Sequence, residues 1–211
     1  MLGDALAASG LAWLGHGVVS GLQRAILGGP RDPSTAYAVD RFEGWADDLW
    51  QAHRGRYGFL AARDTPLLET LYPGDFAPLT RLRVQRAGRD LGWVCTQALG
   101  AQGTWLEPHF GDLRVGIISD AFADPDRAAV VLGAGVRRLA ADGVDLVVTN
   151  QTHPAWCAAI RKLGFWPGPS TLAFSWSPSA GESIGDPHGV HMTRSDGDGP
   201  QGEGEVRPPA V

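Results

Sequence analysis

Between residues 113 and 165 the chain switches period three times, and that order limits its fold more than any other feature. Leu113-Arg114-Val115-Gly116-Ile117-Ile118-Ser119 reads as a strand. Asp126 to Ala141 is apolar or small at 128, 131, 132, 135, 136 and 139, which is helical spacing. Val144 to Thr149 is a short, nearly continuous apolar run, the pattern of a strand covered on both faces. Thr152-His153-Pro154 caps a second helix, which stops at Lys162-Leu163-Gly164-Phe165 with glycine just past its end. Strand, helix, strand, helix implies a right-handed parallel crossover between the strands near 115 and 147. A ligand can lie between the carboxyl ends of such strands where they part. Here that place is ringed by Ser119, Asp120, Asn150, Gln151, Thr152 and His153. The same residue types also collect at helix caps and loop ends as ordinary structure.

The 211 residues correspond to one domain by length, and the chain reads as three stretches. Residues 1–72 read as a helical N-terminal segment. Ala5 to Leu27 is largely apolar, Gly28-Gly29-Pro30 breaks it, and Ala36 to Tyr72 has a helical pattern. Val39, Phe42, Trp45, Leu49, Trp50 and His53 fall on one face, and Asp64-Thr65-Pro66 caps a shorter helix that Pro73-Gly74 ends. Residues 73–194 read as the α/β part. A hairpin alternates from Leu79 to Val84, turns at Ala87-Gly88-Arg89-Asp90 and returns from Leu91 to Ala98, and Leu172, Phe174 and Trp176 form one more strand. Residues 195–211 are glycine, proline and charge, the composition of a disordered tail.

Several functions are excluded by composition. A net charge of −5 and 23 acidic residues do not suit a broadly basic nucleic-acid binder. The arginines at 81, 83, 86 and 89 give one hairpin charge against edge pairing. Cys95 and Cys157 sit in apolar runs and read as buried thiols. Six histidines show no metal-ligand spacing, and Asp196-x-Asp198 lacks the later ligands of a calcium loop, so no metal is expected. Val130-Val131-Leu132-Gly133-Ala134-Gly135 lies mid-helix, where glycines serve close packing. Ala5 to Leu27 lacks a basic leader region, carries Asp4 before it and is broken by His16, Gln23 and Arg24. It makes a poor membrane span and reads as a packed helical stretch of a cytoplasmic protein. Membrane-surface contact through this stretch is the lesser alternative.

With Arg161-Lys162-Leu163-Gly164-Phe165 placed after the second strand, Leu113 to Phe165 resembles the second half of a GNAT-superfamily acyl-CoA N-acyltransferase domain. Thr152-His153-Pro154-Ala155-Trp156 and the stretch His191 to Gly199 resemble a narrower branch with two GNAT-like halves in one chain. Asp48-Leu49-Trp50 and Arg63-Asp64 look like the joint between those halves. The resemblance implies a mixed sheet with a central parallel pair, preceded by the helical segment. It also implies acyl transfer from acetyl-CoA to a small-molecule amine or amino sugar. An N-terminal GNAT half or a second copy would be a partner. On the same resemblance Ile117, Ile118, Ser119, Arg127 and Asn150 would hold the cofactor, and Asp120 or His153 would act as general base.

Two departures oppose this. The family's glycine-rich phosphate loop turns free N–H groups toward pyrophosphate, whereas Ala123-Asp124-Pro125-Asp126-Arg127 has no glycine and two carboxylates. The family's frequent tyrosine acid is replaced by Ile160. Acetyl-CoA is therefore expected to bind weakly, and a non-catalytic GNAT-like domain binding a protein partner or sugar polymer is the alternative. As ordinary structure, Asp120 would cap a turn and His153 would sit in a first helical turn.

Overall fold

The computed structural model describes residues 33–76, 78–100, 113–167, 175, 177–184 and 189–196. The expected helical stretch 5–27, Leu172, Phe174 and Trp176 of the expected strand, and residues 197–211 of the expected tail lie outside the described residues. Five strands form one sheet in the order β1 (Thr35–Val39), β3 (Leu79–Arg86), β4 (Arg89–Gly100), β5 (Arg114–Ala123) and β6 (Leu146–Thr149). The first three pairings are antiparallel and β5–β6 is parallel, as the crossover requires. A small parallel pair joins β2 (Phe59–Leu60) to β7 (Val190–His191).

The helices are α1 (Gly44–His53), α2 (Thr65–Leu71), α3 (Ala128–Ala141), α4 (Pro154–Lys162) and α5 (Pro178–Ile184). Successive strand residues face opposite sides, so Trp93 and Val94 assign the two layers. Phe42, just before α1, meets Trp93 edge-on at 5.1 Å, and Trp50 of α1 meets Phe122 at 5.6 Å. On the other face α3 lies close enough that a Cβ on Gly135 would come within 3.0 Å of Val94 Cγ2. Gly135 therefore serves close packing of α3 on the sheet, whereas Gly133 faces Leu163, just past α4, with 3.6 Å between a Cβ there and Leu163 Cδ2.

Several local expectations hold. Asp64 caps α2 by accepting from Leu67 N, and Gly164 follows α4 at φ 81°. Ala87 and Gly88, with φ of 49° and 76°, make the two-residue turn between β3 and β4. Others do not. Residues 36–39, placed in a helical pattern from sequence, belong to edge strand β1, because pairing with β3 overrides a spacing that happened to align Val39 with Phe42. Strand β6 is half-buried throughout, where the apolar run predicts full burial. Arg81 of the hairpin is buried and donates to the carbonyls of Tyr72 and Pro73, while Arg83 forms a two-pronged pair with Asp90 and lies over Trp45.

Candidate functional site

Strands β5 and β6 stay paired only to Ile118 and Thr149, where Thr149 Oγ1 also donates to Ile118 O at 3.2 Å. Beyond this point β5 runs on to Ala123 while β6 ends, which opens the crevice expected from sequence. A bulge sets the side chains there. Cys95 pairs with Asp120 and Thr96 with Ile118, leaving Ser119 as the extra residue of β5. Ser119 Oγ donates to Gln97 Oε1 at 2.8 Å.

Asp120 therefore lies inside a strand, fully buried, and not at a turn or a strand end. Its carboxylate is shared among strong partners. Arg63 Nε lies 3.0 Å from Oδ2, Tyr72 Oη donates to Oδ2 at 2.6 Å, and Ala121 N donates to Oδ1 at 2.9 Å. The same guanidinium reaches Asp196 Oδ1 at 2.6 Å. Arg63, Asp120 and Asp196 side chains are at most 4% exposed, so two carboxylates share one buried cation. Burial pushes the Asp120 carboxyl up against the pull of Arg63. Burial together with the Asp120 charge pushes the Tyr72 phenol well up. Burial lowers the Arg63 guanidinium's pKa, but the two carboxylates outweigh it and hold the charge firmly. This constellation is held by salt bridges and aims no free base at an open site.

The crevice itself is filled by the chain. Residues 190–196 run along the gap and use the groups that the parting strands release. Thr193 forms an antiparallel bridge with Gln151, and Thr152 N donates to Met192 O. Thr152 Oγ1 donates to Val190 O, Met192 N donates to Thr152 Oγ1, and Ser195 Oγ donates to Ser119 O. Asp196 Oδ2 accepts from Thr193 N at 2.7 Å and closes the turn. His191 lies fully buried between Tyr57 and Trp156, with ring centroids 5.0 and 4.9 Å away, and Nε2 meets Ala121 O at 3.1 Å. Tyr57 Oη in turn donates to Ala123 O and accepts from Trp156 Nε1.

Burial holds the His191 imidazole neutral, with a pKa pulled down to about 3. The unfolded chain takes up that proton below ~6.5, so this contribution is complete above that pH and is lost as pH falls toward about 3. Between pH 7 and 5 the native protein is expected to lose about 2 kcal/mol more stability than a His191→Phe variant. Urea midpoints at the two pH values check this, and parallel pH profiles would contradict it.

His153 is the N-cap of α4, not a first-turn residue. Its Nδ1 accepts from Ala155 N at 3.2 Å, and partial burial lowers its pKa. Ile117 and Ile118 are buried in β5 with their backbone paired to β6. Asn150 Oδ1 accepts from Arg194 Nη1 at 3.5 Å, and Arg127 is exposed in a short 3-10 turn, Pro125–Arg127, away from the buried cluster. Among the described residues no group of His, Cys, Asp and Glu could hold a metal, and no helix is long and apolar enough to cross a membrane.

The turn where a CoA pyrophosphate would sit has its donors in use. Asp126 N donates to Asp124 Oδ1, Arg127 N to Asp124 O and Ala128 N to Pro125 O, while Pro125 has no N–H. The two carboxylates, expected to repel phosphate, are themselves met by Arg56 at 3.0 and 3.4 Å. The obstacle is therefore the shortage of donors more than charge repulsion.

No local motif marks Arg63 and Tyr72 as partners of Asp120, and Asp196 falls in the stretch whose composition reads as tail. The signal is present only as the resemblance of the Arg63-Asp64 and His191–Gly199 stretches to one branch, and the fold brings Arg63 and Asp196 together at 2.6 Å.

A mostly antiparallel sheet with a parallel strand–helix–strand crossover, and a helix after it, is the mixed α/β arrangement the resemblance implied, although among the described residues the parallel pair β5–β6 lies at one end of the sheet and not at its centre. The fold is GNAT-like. No family model and no curated protein matches the chain. Among solved structures it is similar to a ribosomal-protein-alanine N-acetyltransferase from Brucella melitensis biovar Abortus 2308, at 15% identity and a TM-score of 0.48, over 69% of this chain and 100% of that one. An aminoglycoside acetyltransferase from an uncultured soil metagenomic sample, in complex with sisomicin, is similar at 11% identity and a TM-score of 0.45, over 69% and 96% of the two chains. A transcriptional regulator from Bacillus halodurans C-125 is similar at 12% identity and a TM-score of 0.45, over 68% and 99%. Likenesses at this level do not bear on activity.

Proposed function

We propose that this chain keeps a GNAT-like frame without its acyl-CoA site and works as a non-catalytic domain that binds a protein partner or sugar polymer. The observation that carries this reading is the filled crevice: residues 190–196 bond to Ser119, Gln151 and Thr152 where an acyl donor would lie. The donors of the 124–127 turn, satisfied internally, support it further. Acetyl-CoA does not fit the residues as they stand, and no step is derived through it. Asp120 and His153 also lack the freedom of a general base, one tied into salt bridges and the other capping its own helix.

Titration calorimetry with acetyl-CoA tests the reading. The expected dissociation constant is about 1 mM or weaker, about −4 kcal/mol. Micromolar binding would overturn it. Acyl transfer to a small-molecule amine or amino sugar is the second reading, favoured by the kept crossover, and it requires residues 190–196 to leave the crevice.

A further inference from the structure

We propose that the crevice is a carboxylate-binding site which the protein fills with its own Asp196, so that residues 190–196 act as a releasable strap with Arg63 as its anchor. This rests on the reading that the crevice is occupied by the chain and not by acyl-CoA.

The strap is short of regular structure. Its strand, β7, has two residues and pairs with only two in β2, whereas β3, β4 and β5 pair along eight to twelve residues each. It contributes a buried negative charge, and that charge lies on Arg63 at 2.6 Å. Arg63 already has a partner in Asp120, so the second carboxylate can leave and the cluster remains a balanced pair. Local opening of this kind draws on weakly laddered segments before the rest of the fold. Lifting the strap would uncover Ser119, Asp120 and Tyr72 together with a guanidinium able to take a planar carboxylate. The polar cluster first seen at the strand ends is then a site under a cover.

Hydrogen exchange on the full chain tests this. In Asp196→Ala, amides 190–196 are expected to exchange at least tenfold faster, while those of β3 and β4 stay as they were. Sodium acetate at about 100 mM should restore most of the protection, and sodium chloride at equal ionic strength should not, because acetate can occupy the place beside Arg63. Asp196→Asn removes the charge while leaving an acceptor for Thr193 N, and it should show the same faster exchange. Unchanged exchange at 190–196, equal acceleration throughout β3 and β4, acetate acting no better than chloride, or acceleration in Asp196→Ala but not Asp196→Asn would each overturn the proposal. Micromolar acetyl-CoA binding by the unaltered protein would instead overturn the reading beneath it.

Discussion

Replacing Arg63 by methionine is expected to cost about 3–5 kcal/mol of folding stability. The guanidinium is buried and serves Asp120 and Asp196 together, so its loss leaves two carboxylates facing each other away from water. Burial already pushes the Asp120 carboxyl up, so the loss should shrink at acid pH, where Asp120 takes up a proton. Urea unfolding at neutral and acid pH measures both effects. A loss under about 1 kcal/mol at neutral pH, the size expected of an exposed ion pair, would contradict the buried, shared cation described.

Trp156→Ala is expected to lose a comparable amount, about 3–5 kcal/mol. Trp156 is fully buried, stacks on His191 and donates to Tyr57 Oη at 3.0 Å. Its removal empties a large volume between α4, the strap and the 3-10 turn before α3, and it also strips Tyr57 of a donor. Trp156→Phe keeps most of the volume and should cost about 1–2 kcal/mol, the share of the lost hydrogen bond. A Trp156→Ala variant as stable as the parent would contradict the packing described.

The crossover was legible because its signals are local. Gly164, the His153-Pro154 helix start and the spacing of Val131, Leu132, Val136 and Leu139 each act within a few residues, and each lies where the sequence placed it. Strand β1 was not legible, since Thr35–Val39 owes its state to a partner more than forty residues away. The site was legible by half. Ser119 and Asp120 were picked from their place beside a strand end, but their meaning comes from Arg63, 57 residues earlier, and from Ser195 and Asp196, 76 residues later in each case. Nothing in the local pattern of Arg-Ser-Asp-Gly separates a strap from a tail, because its order comes from the Arg63 ion pair, a handful of long-range hydrogen bonds and the burial of His191 between Tyr57 and Trp156. Asp124 and Asp126 show the converse, in which residues read correctly for their charge were missing their partner, Arg56.

The central claim is that the gap between β5 and β6 is closed by the chain itself. Nuclear magnetic resonance of the labelled protein, titrated with acetyl-CoA to a few millimolar, addresses it most directly. The amide signals of Ser119, Asn150, Gln151 and Thr193 should stay in place or drift without saturating, as expected for a constant of about 1 mM or weaker. Saturating shifts at those four amides at micromolar acetyl-CoA would contradict the account.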